Sequence, residues 1–152
     1  MNRRALLTSL IAVPLLLSAS IAFAGKAPVF TGLIEGTGAG GYDVVAYQTE
    51  NMAKPGNEAI MAEFEGVKYR FINEANRETF KTTPAKYIPA YGGYCAFAVA
   101  NGATASTDPE AFTVVDGALY LNYSKGVQSK WQLDMAGNIS KANSNWPKVL
   151  GN

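Results

Sequence analysis

The chain of 152 residues contains no histidine and one cysteine, Cys95. Without histidine, neither a Ser-His nor a Cys-His catalytic pair can form. The glycine-rich stretch "GTGAGG" lacks the lysine and serine or threonine of a phosphate-binding loop. One cysteine can form no disulfide within the chain, and it cannot supply a zinc site of four nitrogen or sulfur ligands. The sequence therefore predicts a non-enzymatic protein whose core is stable without a crosslink.

Clusters of positive charge are also missing from most of the chain. There are 13 basic and 12 acidic residues, and two of the basic ones, Arg3 and Arg4, lie near the N-terminus. Residues 25–152 therefore hold 11 basic and 12 acidic residues, a net charge of −1. This even mixture argues against nucleic acid as a partner and against electrostatic docking on a membrane.

The N-terminus has the pattern of a secretory signal peptide. Arg3 and Arg4 precede the apolar stretch Leu6–Leu17, and an Ala-Phe-Ala sequence ends at Ala24. We predict cleavage after Ala24, which makes the protein periplasmic or secreted. An uncleaved membrane anchor is the alternative, and Pro14 within the apolar stretch disfavours it. The arginine pair leaves the export route, Sec or twin-arginine, open.

The remaining 128 residues are enough for one domain with a modest core. Residues 25–40 are rich in glycine and lack periodicity, so we interpret them as an N-terminal arm. Residues 41–150 are predicted to form a single domain. Eight tyrosines, two tryptophans and several phenylalanines can supply its apolar core.

Two short runs with alternating apolar residues predict two β-hairpins, each followed by a helix. Their turns fall at residues 65–66 and 116–117, both with glycine second, which suits a type I′ turn. Asn73 and Ser124 can cap the helices that follow. We therefore predict an α+β fold of small antiparallel hairpins packed against short helices.

Other patterns indicate further helices. The pair Asp108-Pro109 predicts a helix start. Val127, Trp131 and Met135 are spaced at i, i+4 and i+8, which predicts one amphipathic helix. The two hairpins, "EFEGVKYRF" and "TVVDGALYLNY", also resemble each other. We favour shared turn chemistry as the cause over a doubled hairpin-helix unit.

The stretch "EFEGVKYRFINEANRETFKTTPAKY" resembles a YHS domain, and "GYDVVAY" is similar to the first segment of that family. Together with "YGGYCAFAVANG", "DPEAF" and "NWP", the pattern is similar to exported bacterial proteins with a YHS-like domain, over about residues 41–147. The resemblance implies a YHS-like core with a C-terminal hairpin-helix extension. The aromatic and proline positions that carry it are Tyr69, Phe71, Phe80, Pro84 and Tyr87.

The resemblance also implies an association with heavy metals through cysteines, and the sequence departs from it there. Ala46, Ile72 and Asn76 occupy the positions at which the family has cysteines. Soft metals need thiolate, thioether or imidazole ligands. The metal site that the resemblance implies is therefore missing from this chain.

Cys95, within "YGGYCAFAVANG", is the remaining candidate for metal or thiol chemistry. With Met52, Met61 or Met135 it could form a copper(I) site, which needs only two or three soft ligands. It could also be a reactive thiol, or link two copies of the chain through a disulfide. The alternative is a small buried residue at the start of a packed helix.

A second candidate site is a ligand pocket lined by aromatic rings and glycine. Asp43 could face a ligand or cap a helix, and the tyrosines could line a pocket or pack in the core. We expect a periplasmic binding or accessory protein of YHS type that handles copper or a small ligand through the Cys95 region. The alternative is a structural or protein-interaction module with Cys95 in its core. The candidate ligand-binding residues are Tyr42, Asp43, Tyr47, Tyr91, Gly93 and Tyr94.

Overall fold

Two antiparallel β-hairpins flanked by helices form the frame of the computed structural model, which describes residues 25–151. The predicted signal peptide at residues 1–24 lies outside the described residues. The predicted α+β fold, with small hairpins packed against short helices, is confirmed. The elements are α1 (Val44–Thr49), β1 (Asn57–Phe64), β2 (Val67–Phe71), α2 (Glu74–Thr82), α3 (Pro84–Tyr87), α4 (Ala96–Ala100), β3 (Asp108–Val115), β4 (Ala118–Asn122), α5 (Lys125–Gln132) and α6 (Met135–Asn145), with short 3₁₀ segments at Gly38–Gly41, Ala90–Gly93 and Lys148–Gly151.

Both hairpins turn where the sequence predicts. The two turn residues have φ angles of 51° and 79° at positions 65–66, and 50° and 76° at positions 116–117. Positive φ at both central residues is the condition for a type I′ turn, and its twist matches that of the flanking strands. The predicted caps are confirmed as well: the side chain of Asn73 accepts from Asn76 N, and that of Ser124 accepts from Val127 N.

The likeness of the two hairpins extends to their surroundings, so that residues 38–82 (the first unit) and 90–132 (the second unit) repeat one arrangement. Each unit runs through a left-handed turn, a short helix, a hairpin and a capped helix. The φ angles are 51°, 60° and 80° at residues 39–41, and 54°, 60° and 79° at residues 91–93. Both hairpins have an irregularity at the same point of the register. The interpretation that only turn chemistry is shared is therefore wrong, because the repeat includes the turns and caps on either side.

The second hairpin (β3 and β4) lies between two apolar cores. One of its faces packs in the first core, together with α1, α2 and the first hairpin (β1 and β2). Its other face packs in the second core, with α4, α5 and α6. The residues facing the first core are Phe112, Val114, Leu119 and Leu121, and those facing the second are Val115, Ala118 and Tyr120.

Within residues 25–151, the first hairpin has one of its two faces in a core. Tyr69 and Phe71 are buried there, and each ring lies 5.1 Å from the ring of Phe80. The opposite face, which we call the open face, carries Lys68 and Arg70 at the positions equivalent to two buried leucines of the second hairpin. Position in the fold thus explains why one hairpin alternates apolar and polar residues and the other is apolar on both faces.

Two helix predictions are wrong. Asp108-Pro109 does not start a helix but begins β3, where Pro109 lies in the irregular part of the ladder and needs no N–H. Met135 is not the last residue of one amphipathic helix with Trp131, because α5 ends at Gln132. Asp134 then caps a separate helix, α6, because its side chain accepts a hydrogen bond from the amide of Gly137, the third residue of that helix. Met135 opens that helix and is 37% exposed.

The predicted arm is ordered and crosses both units. The amide of Phe30 donates to Gly92 O at 2.8 Å, and the Phe30 ring lies 5.4 Å from that of Tyr94. Further along, the amide of Lys68 donates to Gly36 O at 3.0 Å, so the arm pairs with the edge of β2. The arm therefore covers the turn before Cys95 and one edge of the first hairpin.

Candidate functional site

Asp43 is a fully buried carboxylate that joins α1 to the first hairpin and α2. Its Oδ1 accepts hydrogen bonds from the amides of Val45, at 2.9 Å, and Ala46, at 3.2 Å. Its Oδ2 accepts from the amide of Ile72 and from Nδ2 of Asn76, both at 2.8 Å. The predicted helix cap is confirmed. Both oxygens are fully used within the protein, so no free acceptor faces a ligand.

The three positions at which the resemblance implies cysteines meet around this carboxylate. Ala46, Ile72 and Asn76 come from two helices and from the residue after β2, and each donates one hydrogen bond to Asp43. Two of these donors are backbone amides, which any residue there would supply, so the contacts establish where the positions lie. None of the three side chains carries the sulfur or imidazole that a soft metal needs.

Cys95 occupies the position in the second unit that Asp43 holds in the first. The backbone amide of Cys95 donates to Ala105 O at 3.1 Å, just as that of Asp43 donates to Lys54 O at 2.9 Å. The Cys95 side chain is 1% exposed, and its thiol donates to Oδ1 of Asn122 at 3.7 Å. Cys95 therefore lies in the core at the start of α4, as the alternative interpretation of the sequence expected.

Asn122 takes over the capping role that Cys95 cannot perform. Its Oδ1 also accepts from the amide of Phe97, at 3.2 Å, the counterpart of Val45 in the first unit. Asn122 is fully buried, and its Nδ2 has no hydrogen-bond partner among residues 25–151. Sequence reasoning missed this residue, although a polar side chain at the end of the apolar run "ALYLNY" was a usable signal, because a buried polar group needs a partner.

The structure does not place Cys95 and the candidate methionines in one environment. Met52, Met61 and Met135 are 52%, 39% and 37% exposed, whereas the Cys95 thiol is enclosed. Within residues 25–151, no three cysteine, aspartate or glutamate side chains come together as a metal-binding group. The candidate copper(I) ligands therefore lie in different surroundings, the thiol in the core and the methionines at the surface.

The predicted pocket residues divide between the two units. Tyr42, Asp43 and Tyr47 belong to the first unit, and Tyr42 packs half-buried against the first core. The hydroxyl of Tyr47 donates to Pro109 O at 2.7 Å. Burial, followed by the nearby Tyr42 hydroxyl and by acidic side chains, raises the pKa of Tyr47 well above its usual range. This hydroxyl holds the first unit to β3 of the second.

Tyr91, Gly93 and Tyr94 belong to the second unit and bind protein groups there. The hydroxyl of Tyr91 donates to Oδ1 of Asn143 at 2.9 Å, and burial raises the pKa of Tyr91 to about 12. The hydroxyl of Tyr94 donates to an arm carbonyl at 2.9 Å, and burial raises the pKa of Tyr94 too. Gly93 O accepts from Thr107 Oγ1 at 3.2 Å. The two tyrosine hydroxyls thus hold α6 and the arm to the second unit, and the Gly93 bond lies within that unit.

Two cavities are lined neither by Cys95 nor by any of the six candidate ligand-binding residues. One of about 830 Å³ is formed mostly by apolar atoms where residues 25–28 meet residues 147–151. The other, of about 410 Å³, lies on the open face of the first hairpin and is lined by four charged side chains. We call this second cavity the charged cavity. Its lining residues are Ile34, Glu35, Thr37, Glu58, Ala59, Met61, Lys68 and Arg70.

Comparison of the chain with protein-family models, with curated proteins and with solved structures gave no match. The resemblance to YHS domains therefore stays a prediction of the sequence. Among residues 25–151, no helix is both long and apolar enough to span a bilayer.

Proposed function

We propose that the protein is an exported, non-enzymatic binding module of the YHS type in which Cys95 is a structural core residue. Of the two roles that the sequence leaves open for Cys95, the geometry favours a buried core residue over metal handling through its thiol. The observation that carries this proposal is the enclosed thiol, 1% exposed and bonded to Asn122.

The repeat within the chain supports a structural role for Cys95. At the equivalent position Asp43 fastens one helix to a hairpin, and in the second unit the pair Cys95 and Asn122 makes the corresponding connection. A thiol packs well in such a place, since free cysteine is among the most frequently buried residues. The meeting of Ala46, Ile72 and Asn76 around Asp43 supports the YHS part of the proposal.

Metal binding through Cys95 would need a large local change. The thiol would have to leave Asn122, whose amide oxygen would lose one of its two donors. An exposed methionine would then have to reach the buried sulfur. A disulfide between two copies of the chain meets the same obstacle, because the two sulfur atoms must come within about 2 Å of each other.

The rate at which a thiol reagent labels Cys95 tests this proposal. In the native protein we expect labelling to be at least about 100-fold slower than in denaturant, since the reagent must wait for local opening of the structure. A Leu133→Cys variant in a Cys95→Ser background is the control, because Leu133 is 87% exposed and its replacement should react at once. Native labelling of Cys95 as fast as that of the control would refute the proposal.

Competition for copper(I) against a chelator provides a second, independent measurement. We expect the mature protein and its Cys95→Ser variant to show the same weak competition, because the buried thiol is not a ligand. Strong competition that disappears in Cys95→Ser would instead support metal handling through Cys95.

A further inference from the structure

We infer that the charged cavity on the open face binds a small zwitterion, a molecule that carries both a carboxylate and an ammonium group. This inference rests on the proposed function, since it names the ligand class and location for a binding module. Free amino acids and short peptides both carry these two groups. The cavity volume of about 410 Å³ lies within the usual range for small-molecule sites.

The lining of the cavity is balanced in charge, with two acidic and two basic side chains. Glu58 and Arg70 approach each other at 3.7 Å, at the long end of ion-pair distances. Glu35 and Lys68 form no ion pair with any residue in the range 25–151. One charge of each sign, Glu35 and Lys68, therefore lines the cavity without an ion-pair partner in this range, and the Glu58–Arg70 pair beside them is long. A ligand that carries both signs can satisfy these charges.

Arg70 is suited to hold the carboxylate of such a ligand. Its side chain is 22% exposed, so the guanidinium is partly removed from water, whereas its partner Glu58 is 80% exposed. A planar guanidinium can bind a carboxylate through two parallel hydrogen bonds, and partial burial strengthens the attraction. Lys68, on the same strand and the same face, adds a second positive charge.

The acidic side of the lining is suited to an ammonium group. Glu35 comes from the arm and Glu58 from β1, so the site exists only because the arm is fastened to the edge of β2. Ile34, Ala59 and Met61 line the same cavity and offer an apolar surface. This combination favours a zwitterion with a small aliphatic side chain over a simple anion or cation.

The repeat shows that these charges are not required by the fold. At the positions in the second hairpin equivalent to Met61, Lys68 and Arg70, the chain has Phe112, Leu119 and Leu121. Those three pack in the first core. The open face has no such covering among residues 25–151, and its charged residues make a cavity where the second hairpin makes a core contact.

The inference is tested by titrating the purified mature protein with L-valine and with L-alanyl-L-alanine. Calorimetry and amide NMR detect the binding. We expect saturable binding of at least one of them, with shifted amide signals on β2. Comparison of the two distinguishes a free amino acid from a short peptide. N-acetyl-L-valine and L-valine amide each lack one charge, and each should bind about tenfold more weakly, the effect of losing a charge-assisted hydrogen bond.

Two single variants and one control identify the site. Lys68→Gln and Glu35→Gln change exposed side chains, so both should fold, and each should weaken binding about tenfold. Lys141→Gln removes an exposed lysine on α6 and should leave binding unchanged. Absence of saturable binding at millimolar concentration would overturn the inference. So would equal binding of the blocked analogues or unchanged affinity in Lys68→Gln.

The outcome is separable from that of the proposed function. If Cys95 is protected and no zwitterion binds, the ligand class is wrong while the binding module with a structural thiol stands. If Cys95 reacts rapidly in the native state, the proposed function fails whatever the titration shows.

Discussion

Replacement of Asp43 by asparagine tests whether a buried carboxylate holds the first unit together. The two side chains have the same shape, but one carboxylate oxygen becomes an amide nitrogen. In either orientation that nitrogen faces two donors: the amides of Val45 and Ala46, or the amide of Ile72 and Nδ2 of Asn76. Two of the four hydrogen bonds are therefore lost.

The expected loss of stability follows from the type of hydrogen bond that is broken. A hydrogen bond to a charged group contributes about 1.5–3 kcal/mol, so two of them amount to about 3–6 kcal/mol. Neutralising the side chain also removes part of the cost of burying a charge, which reduces the loss. We expect the free energy of unfolding to fall by about 2–4 kcal/mol, a large fraction of the total stability of an ordinary domain.

Urea unfolding, followed by the fluorescence of the two tryptophans, measures this loss. Asp134→Asn is the matched control, since Asp134 also caps a helix but is exposed and accepts one bond, from Gly137 N at 3.0 Å. Asparagine caps a helix as well as aspartate does, so the control should change stability by less than about 0.5 kcal/mol. If Asp43→Asn is as mild as the control, the carboxylate does not fasten α1 to the first hairpin and α2.

Two further predictions concern the repeat and the buried hydroxyls. Leu119→Lys should lower the free energy of unfolding by about 3–5 kcal/mol, because it places an unpaired charge in the core. The reciprocal change, Lys68→Leu, should alter it by less than about 0.5 kcal/mol. Thermal unfolding of both variants measures these changes, and equal effects would contradict the assignment of the buried and open faces. Because the folded pKa of Tyr91 is about 12 against an ordinary 10.0, the stability that its protonated form contributes is complete below about pH 10 and is lost as the pH rises through 12. Between about pH 9 and 12 the free energy of unfolding should therefore fall less steeply with pH in Tyr91→Phe than in the unaltered protein. An unchanged slope would show that Tyr91 does not cause this pH dependence.

Local signals in the sequence were strong enough to locate most elements. Glycine at the second turn position needs only the residues beside it to define a type I′ turn, and both hairpins formed there. Asn73 and Ser124 likewise cap through their own backbone neighbours. The prediction of a helix at Asp108-Pro109 was wrong because the same dipeptide also suits the irregular start of a strand. Only pairing with β4 decides between a helix and a strand there.

The candidate site was less predictable because it depends on contacts between distant parts of the chain. The sequence marked Asp43 as a cap but could not show that Ile72 and Asn76 would bind its second oxygen. Asn122 was missed for the same reason, since its partners, Cys95 and Phe97, lie at the start of α4, more than twenty residues earlier.

The sequence by itself determined the features that depend on nearest neighbours, namely the two turns and the caps, and it excluded histidine chemistry and a disulfide within the chain. Tertiary structure decided that the second hairpin is buried on both faces, because the face with Leu119 packs in the first core, whereas the equivalent face with Lys68 has no such covering among residues 25–151. It also decided that the Cys95 thiol is enclosed. Burial is a property of the assembled layers, and it arises when residues far apart in the chain exclude water together.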